Sequence, residues 1–196
     1  MKLLTKNKLN EIIKNNDIRG FYISPLLDIN QIGEISLDLR LGFDFYVSVN
    51  TRYSKLSLYD ENGVGACFQI TKREFGEPFL LFPGQLVVTN TFEYIKLPEN
   101  ILVELNTRSS VNKIGISFNS IVQPGFTGCF PLELYNNSNN VIELIAGMRL
   151  VQARIYQLDE KTDYLDRDRK YFCHIKPQIS KIISDEDNKR FRKLNK

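Results

Sequence analysis

The sequence predicts an all-β fold, a distorted jelly roll or β-barrel with one helix at its N-terminus. Three observations predict it. From Ser36 onward, short segments rich in Val, Ile, Phe, Tyr and Thr follow a period of two. Turn signals separate them at Leu41-Gly42, Asn62-Gly63, Pro83-Gly84, Pro98-Glu99-Asn100, Pro124-Gly125, Asn136 to Asn140 and Ala146-Gly147, the spacing of a sandwich or barrel. Helical spacing is convincing in one place only, before the first of these strands.

That helix is expected over about residues 5–15: Thr5 offers an N-cap, Leu4 and Leu9 stand at staple positions, and Ile12 and Ile13 continue the apolar face. Strands are expected at Ser36 to Leu41, Phe43 to Val49, Leu80 to Phe82, Leu86 to Thr91 and Ile101 to Leu105. Further strands follow at Gly115 to Phe118, Gly128 to Tyr135, Ile142 to Leu144 and Leu150 to Gln157. Phe82-Pro83-Gly84-Gln85-Leu86 and Ile145-Ala146-Gly147-Met148-Arg149-Leu150 share an apolar-x-Gly-x-apolar turn, read as repeated hairpin chemistry and not as an internal repeat.

With 196 residues the chain fills one core and is too short for two comfortable domains, so a single domain over 1–196 is expected. The apolar runs fall far short of the ~20 residues of a membrane span, and the first residues carry no signal-peptide pattern. The expected location is the cytoplasm, with no membrane partner. Three cysteines, Cys67, Cys129 and Cys173, give neither a C-x-x-C pair nor an even set, which argues against a disulfide framework and a structural zinc site. The single histidine, His174, cannot supply a His-rich metal site, and the zinc-deaminase signature is absent.

The net charge of +3 is unevenly placed: residues 167–196 hold ten Lys/Arg against four acids. This basic tail, from about residue 159 to 196, lacks the interleaved aromatics of a nucleic-acid stacking platform, so no nucleic acid is expected. It reads either as a solvated terminus or as a segment that closes over a small polyanion.

Two places break the strand pattern. In Thr107-Arg108-Ser109-Ser110-Val111-Asn112-Lys113-Ile114-Gly115 a strand gives way to a cation, two hydroxyls and a second cation, the mixture that phosphate oxygens want. An ordinary surface turn with a capping serine reads the same way. In Phe130-Pro131-Leu132-Glu133-Leu134-Tyr135-Asn136, alternation puts Leu132 and Leu134 on one face and Glu133 with Tyr135 on the other. Glu133 is then an outward strand residue or, in a cleft, a carboxyl with a raised pKa that can shuttle a proton.

Taken in order, Ser36-Leu37-Asp38-Leu39-Arg40-Leu41-Gly42, Leu81-x-Pro-Gly-Gln, Leu97-Pro98-Glu99-Asn100, Arg108-Ser109-Ser110, Pro124-Gly125-Phe126-Thr127-Gly128, Leu132-Glu133-Leu134-Tyr135-Asn136 and Ala146-Gly147-Met148-Arg149-Leu150 resemble the dCTP deaminase branch of the dUTPase-like superfamily. The likeness extends into Lys170-Tyr171 and Ser180-Lys181-Ile182. It implies a homotrimer of distorted jelly rolls that hydrolyses dCTP to dUTP and ammonia without zinc, at sites between subunits, with Mg²⁺ on the nucleotide phosphates. It implies Glu133 as the general acid/base. Arg108, Ser109, Ser110 and Lys113 would hold the triphosphate, Gln123 and Leu132 would lie at the substrate, and Tyr164, Lys170 and His174 would close over it from the tail.

The chain departs from the family pattern at four points. Lys113 replaces a second arginine, Gln123 an aspartate, and His174 a glutamine, while the Asn119-Ser120-Ile121-Val122 loop is a few residues short. Lys113 keeps charge and loses bidentate geometry. Gln123 cannot act as a base, which argues against diphosphate hydrolysis. Two other readings stay open: a catalytically impaired or regulatory homologue that binds deoxynucleotides, and an interaction module with no nucleotide.

Overall fold

The structure is a computed structural model and describes residues 1–15, 17, 20–50, 61–162, 171 and 173–194. Short strands are assembled into two main sheets around a shared apolar core. The first sheet, here sheet A, runs β1 (Lys2–Leu3), β13 (Arg149–Gln157), β8 (Ile101–Thr107) and β10 (Asn119–Val122), with β3 (Leu37–Arg40) also paired to β13. Sheet B runs β5 (Phe68–Lys72), β4 (Asp44–Ser48), β7 (Leu86–Lys96), β11 (Thr127–Asn136) and β9 (Ile116–Ser117), with β2 (Tyr22–Ser24) also on β7. A two-stranded sheet of β6 (Pro78–Leu81) and β12 (Ile142–Ile145) completes the β framework.

Alternation places one side of each sheet in the core. Leu39, Val103, Leu105, Val151 and Ile155 of sheet A meet Phe45, Val87, Ile95, Leu132 and Leu134 of sheet B in one buried cluster. Phe79 of β6 stacks on Phe45, with ring centroids 4.3 Å apart. The N-terminal helix α1 (Lys6–Asn15) buries Leu9 and Ile13, and the preceding Leu4 is 3% exposed, as the staple predicts. Each such side chain contributes ~2 kcal/mol of burial, enough to hold a ten-residue helix that would be marginal alone.

The structure also departs from the expected elements. The stretch Asn119 to Val122, expected as a loop, is strand β10, paired along its length with Asn106 to Val103 of β8. Asn62-Gly63, expected as a turn, lies inside the short helix α2 (Glu61–Ala66). The N-terminal helix is not the only long one: α4 (Glu186–Leu194) ends the described chain, and Ser109–Asn112 forms a single turn, α3. The glycine turns hold, with Gly84, Gly125 and Gly147 at φ of 70°, 80° and 86°, but each joins strands of different sheets, so the hairpins expected at Phe82 to Leu86 and Ile145 to Leu150 are tight crossings between sheets. No helix among the described residues is long and apolar enough to cross a membrane.

The end of β11 is fixed by a buried amide. Asn136 Nδ2 donates to the carbonyls of Leu81 and Asn140, both at 2.9 Å, and its Oδ1 accepts from the Ser138 backbone N–H and hydroxyl. Towards the other end the pairing is irregular on the side of β7, which takes four steps, from Tyr94 to Asn90, while β11 takes two, from Cys129 to Pro131.

Candidate active site

Between those ends β11 alternates cleanly. Leu132 and Leu134 are fully buried, and Glu133 and Tyr135 face outward. Glu133 sits directly across from Val88 of β7, which is paired in turn with Tyr46 of β4. The residue is open to solvent along one side, yet burial of its carboxyl raises the pKa above the ordinary value, and a hydrogen bond to its own backbone only partly opposes this. No side chain among the described residues pairs with it. Leu132 is corrected by the same alternation: its side chain belongs to the core, so it offers a substrate no side-chain contact.

Arg108 lies on sheet A. Following the outward positions Glu104 and Asn106 at the end of β8, its Nε is 3.2 Å from Asp38 Oδ2. Arg149 approaches the same oxygen at 3.8 Å and donates to the Asn30 carbonyl at 3.1 Å. Asp38 is outward between buried Leu37 and Leu39. Burial raises its pKa, and Arg108 and Arg149 pull it only partly back. This carboxylate therefore orients two guanidinium groups at a partly desolvated surface, and it was legible as the outward member of Leu37-Asp38-Leu39. Ser109 and Ser110 open α3 beside Arg108, with both serines and Lys113 exposed. Gln123 is exposed past the end of β10, and its carbonyl accepts from the Phe126 N–H at 3.3 Å.

The tail returns to sheet B. Cys173 N–H donates to the Thr127 carbonyl at 2.8 Å, Cys129 N–H to the His174 carbonyl at 3.0 Å, and Asn90 Nδ2 to the Ile175 carbonyl at 2.7 Å. Gly128 makes this approach possible: a Cβ there would stand 2.6 Å from the His174 carbonyl oxygen. His174 Nε2 lies 3.3 Å from Lys181 Nζ, and the Lys181 N–H donates to the Tyr171 hydroxyl at 3.0 Å. This strap crosses the strands that carry Glu133, so the structure brings His174 to the same sheet. Tyr164 and Lys170 lie outside the described residues.

Within one chain the expected site draws on both sheets. Arg108 follows β8 of sheet A, Ser109 and Ser110 lie on α3 with Lys113 just after it, α3 packs against β9 at the edge of sheet B, and Glu133 and His174 lie on sheet B itself. Among the described residues no group of three His, Cys, Asp or Glu could hold a metal ion.

One buried group escaped sequence reading. Glu93 on β7 is fully buried, with its Oε1 accepting from Gln31 Nε2 and its Oε2 from the Arg40 N–H, both at 2.9 Å. Burial pushes its carboxyl up to about 7. Its phase with Val87, Thr89 and Ile95 marks it as inward, a signal that ending the strand at Thr91 concealed.

Comparison with known proteins gives the family. The family profile described as dCTP deaminase-like matches residues 3–158. A dUMP-forming dCTP deaminase of Methanosphaera stadtmanae is 29% identical over 90% of this chain and 96% of its own length. A dCTP deaminase of Halorubrum lacusprofundi is 33% identical over 84% of this chain and 85% of its own length. The crystal structure of 2'-deoxycytidine 5'-triphosphate deaminase from Agrobacterium tumefaciens superposes with a TM-score of 0.61 at 20% identity, over 79% of this chain and 46% of that one. The last likeness establishes the fold. A profile that runs from β1 to the end of β13 settles the rest: the chain belongs to the dCTP deaminase-like family of enzymes.

Proposed function

We propose that this enzyme hydrolyses the 4-amino group of dCTP, giving dUTP and ammonia, with Glu133 as general acid/base. The observation that carries the reading is the Glu133 carboxyl, outward on its strand and held above its ordinary pKa. Such a group can take a proton from water as oxygen attacks C4 of the pyrimidine, return it to N3, and pass a second to the departing amine. The sequence, with His174 as its single histidine and no C-x-x-C pair, suits acid/base chemistry without zinc.

Arg108, Ser109, Ser110 and Lys113 take the triphosphate in this reading, and Asp38 aims Arg108 at it. Magnesium on the phosphates neutralises charge, while Tyr164, Lys170 and His174 cover the nucleotide from the tail. Sites shared between the copies of a homotrimer, as the resemblance to the family implies, would let one copy supply Arg108 and its neighbour Glu133. Gln123 and Leu132 contribute through backbone and amide groups alone.

The product divides the relatives. The Methanosphaera protein and a Dictyoglomus turgidum relative, 32% identical over 89% of this chain, are named dUMP-forming, and the Halorubrum protein is named dCTP deaminase without that qualifier. Gln123 supplies no base for attack on a phosphate, which favours dUTP. The names of the relatives favour a second reading, in which dUMP and pyrophosphate follow.

Incubation with dCTP and Mg²⁺, with ammonia and nucleotides quantified together, tests all of this. One ammonia per dUTP is the expected result. One ammonia with dUMP and pyrophosphate establishes the second reading, and nucleotide binding with no ammonia leaves a non-catalytic homologue.

A further inference from the structure

The three cysteines are reduced, and two of them lie where the strap meets sheet B. Cys129 stands on β11 opposite Tyr94 of β7, and Cys173 on the strap hydrogen-bonded to β11. The two backbone bonds that join these segments are made by the N–H groups of Cys129 and Cys173 themselves. The bonds set Cys129 against His174 and Cys173 against Thr127, one position out of direct register on backbones about 5 Å apart, which brings the two cysteines near the Cα separation of about 4.4–6.8 Å that a disulfide spans. Cys173 is held at φ 59°, a left-handed conformation uncommon for a residue with a side chain. Burial raises the pKa of the Tyr94 hydroxyl, and Cys173 and Cys129 add to the rise, so both thiols lie near one phenol. Cys67 is on another segment, the turn between α2 and β5.

We propose that Cys129 and Cys173 form a redox-sensitive dithiol, which a small-molecule disulfide oxidises to an intramolecular bond that latches the tail strap to β11. The exposed Cys173 meets the oxidant first. Its thiolate attacks one sulfur of the reagent, whose S–S bond breaks and releases one thiolate, leaving a mixed disulfide on Cys173. Cys129 then gives its proton to solvent and attacks the Cys173 sulfur, and the second reagent thiolate leaves and is protonated. The protein loses two electrons, and the reagent gains them as two thiols. Burial and the neighbouring Glu93 push the Cys129 thiol up to about 11, with the Asn90 side chain pulling the other way. The second step is therefore the slow one, and the pair stays reduced until an oxidant is abundant.

The latch closes over the sheet that bears Glu133, and its formation does not depend on the nucleotide chemistry proposed above. The test uses the full native chain with oxidised glutathione, followed by thiol counting and peptide mapping. Three free thiols should fall to one, with Cys129 and Cys173 in one crosslinked peptide of a single chain, reversed by dithiothreitol. The same oxidation in denaturant should scatter among all three possible pairs. Cys67→Ser should oxidise like the parent, and Cys129→Ser should retain a glutathione adduct on Cys173. In the oxidised parent the Cys129 and Cys173 amides should exchange hydrogen at least ~10-fold more slowly. A persistent adduct on Cys173 in the parent, a bond to Cys67, or a bond between chains would each overturn the proposal.

Discussion

Two glutamates occupy the two faces of sheet B, and desolvation raises the pKa of both. Glu93 on the inner face is sealed in the core and receives hydrogen bonds from Gln31 and Arg40. Glu133 on the outer face has no side-chain partner among the described residues and keeps a path to solvent. The inner carboxyl is bound into the framework, where Gln31 also grips the Asp38 carbonyl at 2.9 Å and so steadies the strand that presents Asp38 to Arg108. A proton on Glu93 moves stability; a proton on Glu133 can move to a ligand. A raised pKa alone does not separate these roles, and the surroundings do.

The largest contrast is expected in the dependence of stability on pH. Glu93 has a folded pKa of about 7 against an ordinary 4.5, so between these values the folded chain holds a proton that the unfolded chain has lost. Its contribution is complete below the unfolded value and disappears as pH rises through the folded one, a loss of about 3 kcal/mol. Urea unfolding across this range should show stability falling with pH, and Glu93→Gln should flatten the profile. An unchanged slope in that variant would mean that Glu93 does not titrate there.

Next in size is the outer face. Glu133→Gln should lower deamination by ~10²-fold or more while nucleotide affinity and melting temperature change little. If the rate survives, Glu133 is an ordinary outward strand residue. Arg108→Ala should weaken nucleotide binding by ~2 kcal/mol, roughly 30-fold in Kd by titration calorimetry. Lys113→Ala, which removes an exposed point charge, should cost less.

The smallest signal is the most specific to a site shared between copies. When Glu133→Gln and Arg108→Ala proteins are dissociated and reassembled together, some sites draw an intact half from each. About a quarter of parental activity per site should reappear if copies associate at random and each site takes its halves from two of them. No recovery in a mixture shown to have exchanged subunits would place both halves in one copy.

Sequence reading succeeded where a residue's phase was unbroken. β11, β8 and β13 alternate inside and outside along their length, and their ends were found within a few residues. It failed where the phase had no apolar face to report. β5 has exposed, half-buried and polar positions in no regular order, and α4 is polar almost throughout. β10 was hidden because Ile121 faces solvent while Val122 faces the core, in a segment of only four residues. The site was legible as chemistry: the outward position of Glu133 and the company of Arg108 could be named. Which sheet each of these residues joins was not, because alternation gives each strand's faces but not its neighbours.

The buried Asn136 carries one more consequence, for how this strand tolerates inheritance and accident. Its four bonds anchor the downstream end of β11, while the pairing upstream of Pro131 already accommodates two extra residues on the side of β7. An added or lost residue between Pro131 and Asn136 would turn the strand over, exposing leucines and driving a carboxylate into oil. The same change upstream could be taken up in the slack. Length variation in descendants of this sequence should therefore collect before Pro131, with the five-residue interval from there to Asn136 passed on like a fixed word.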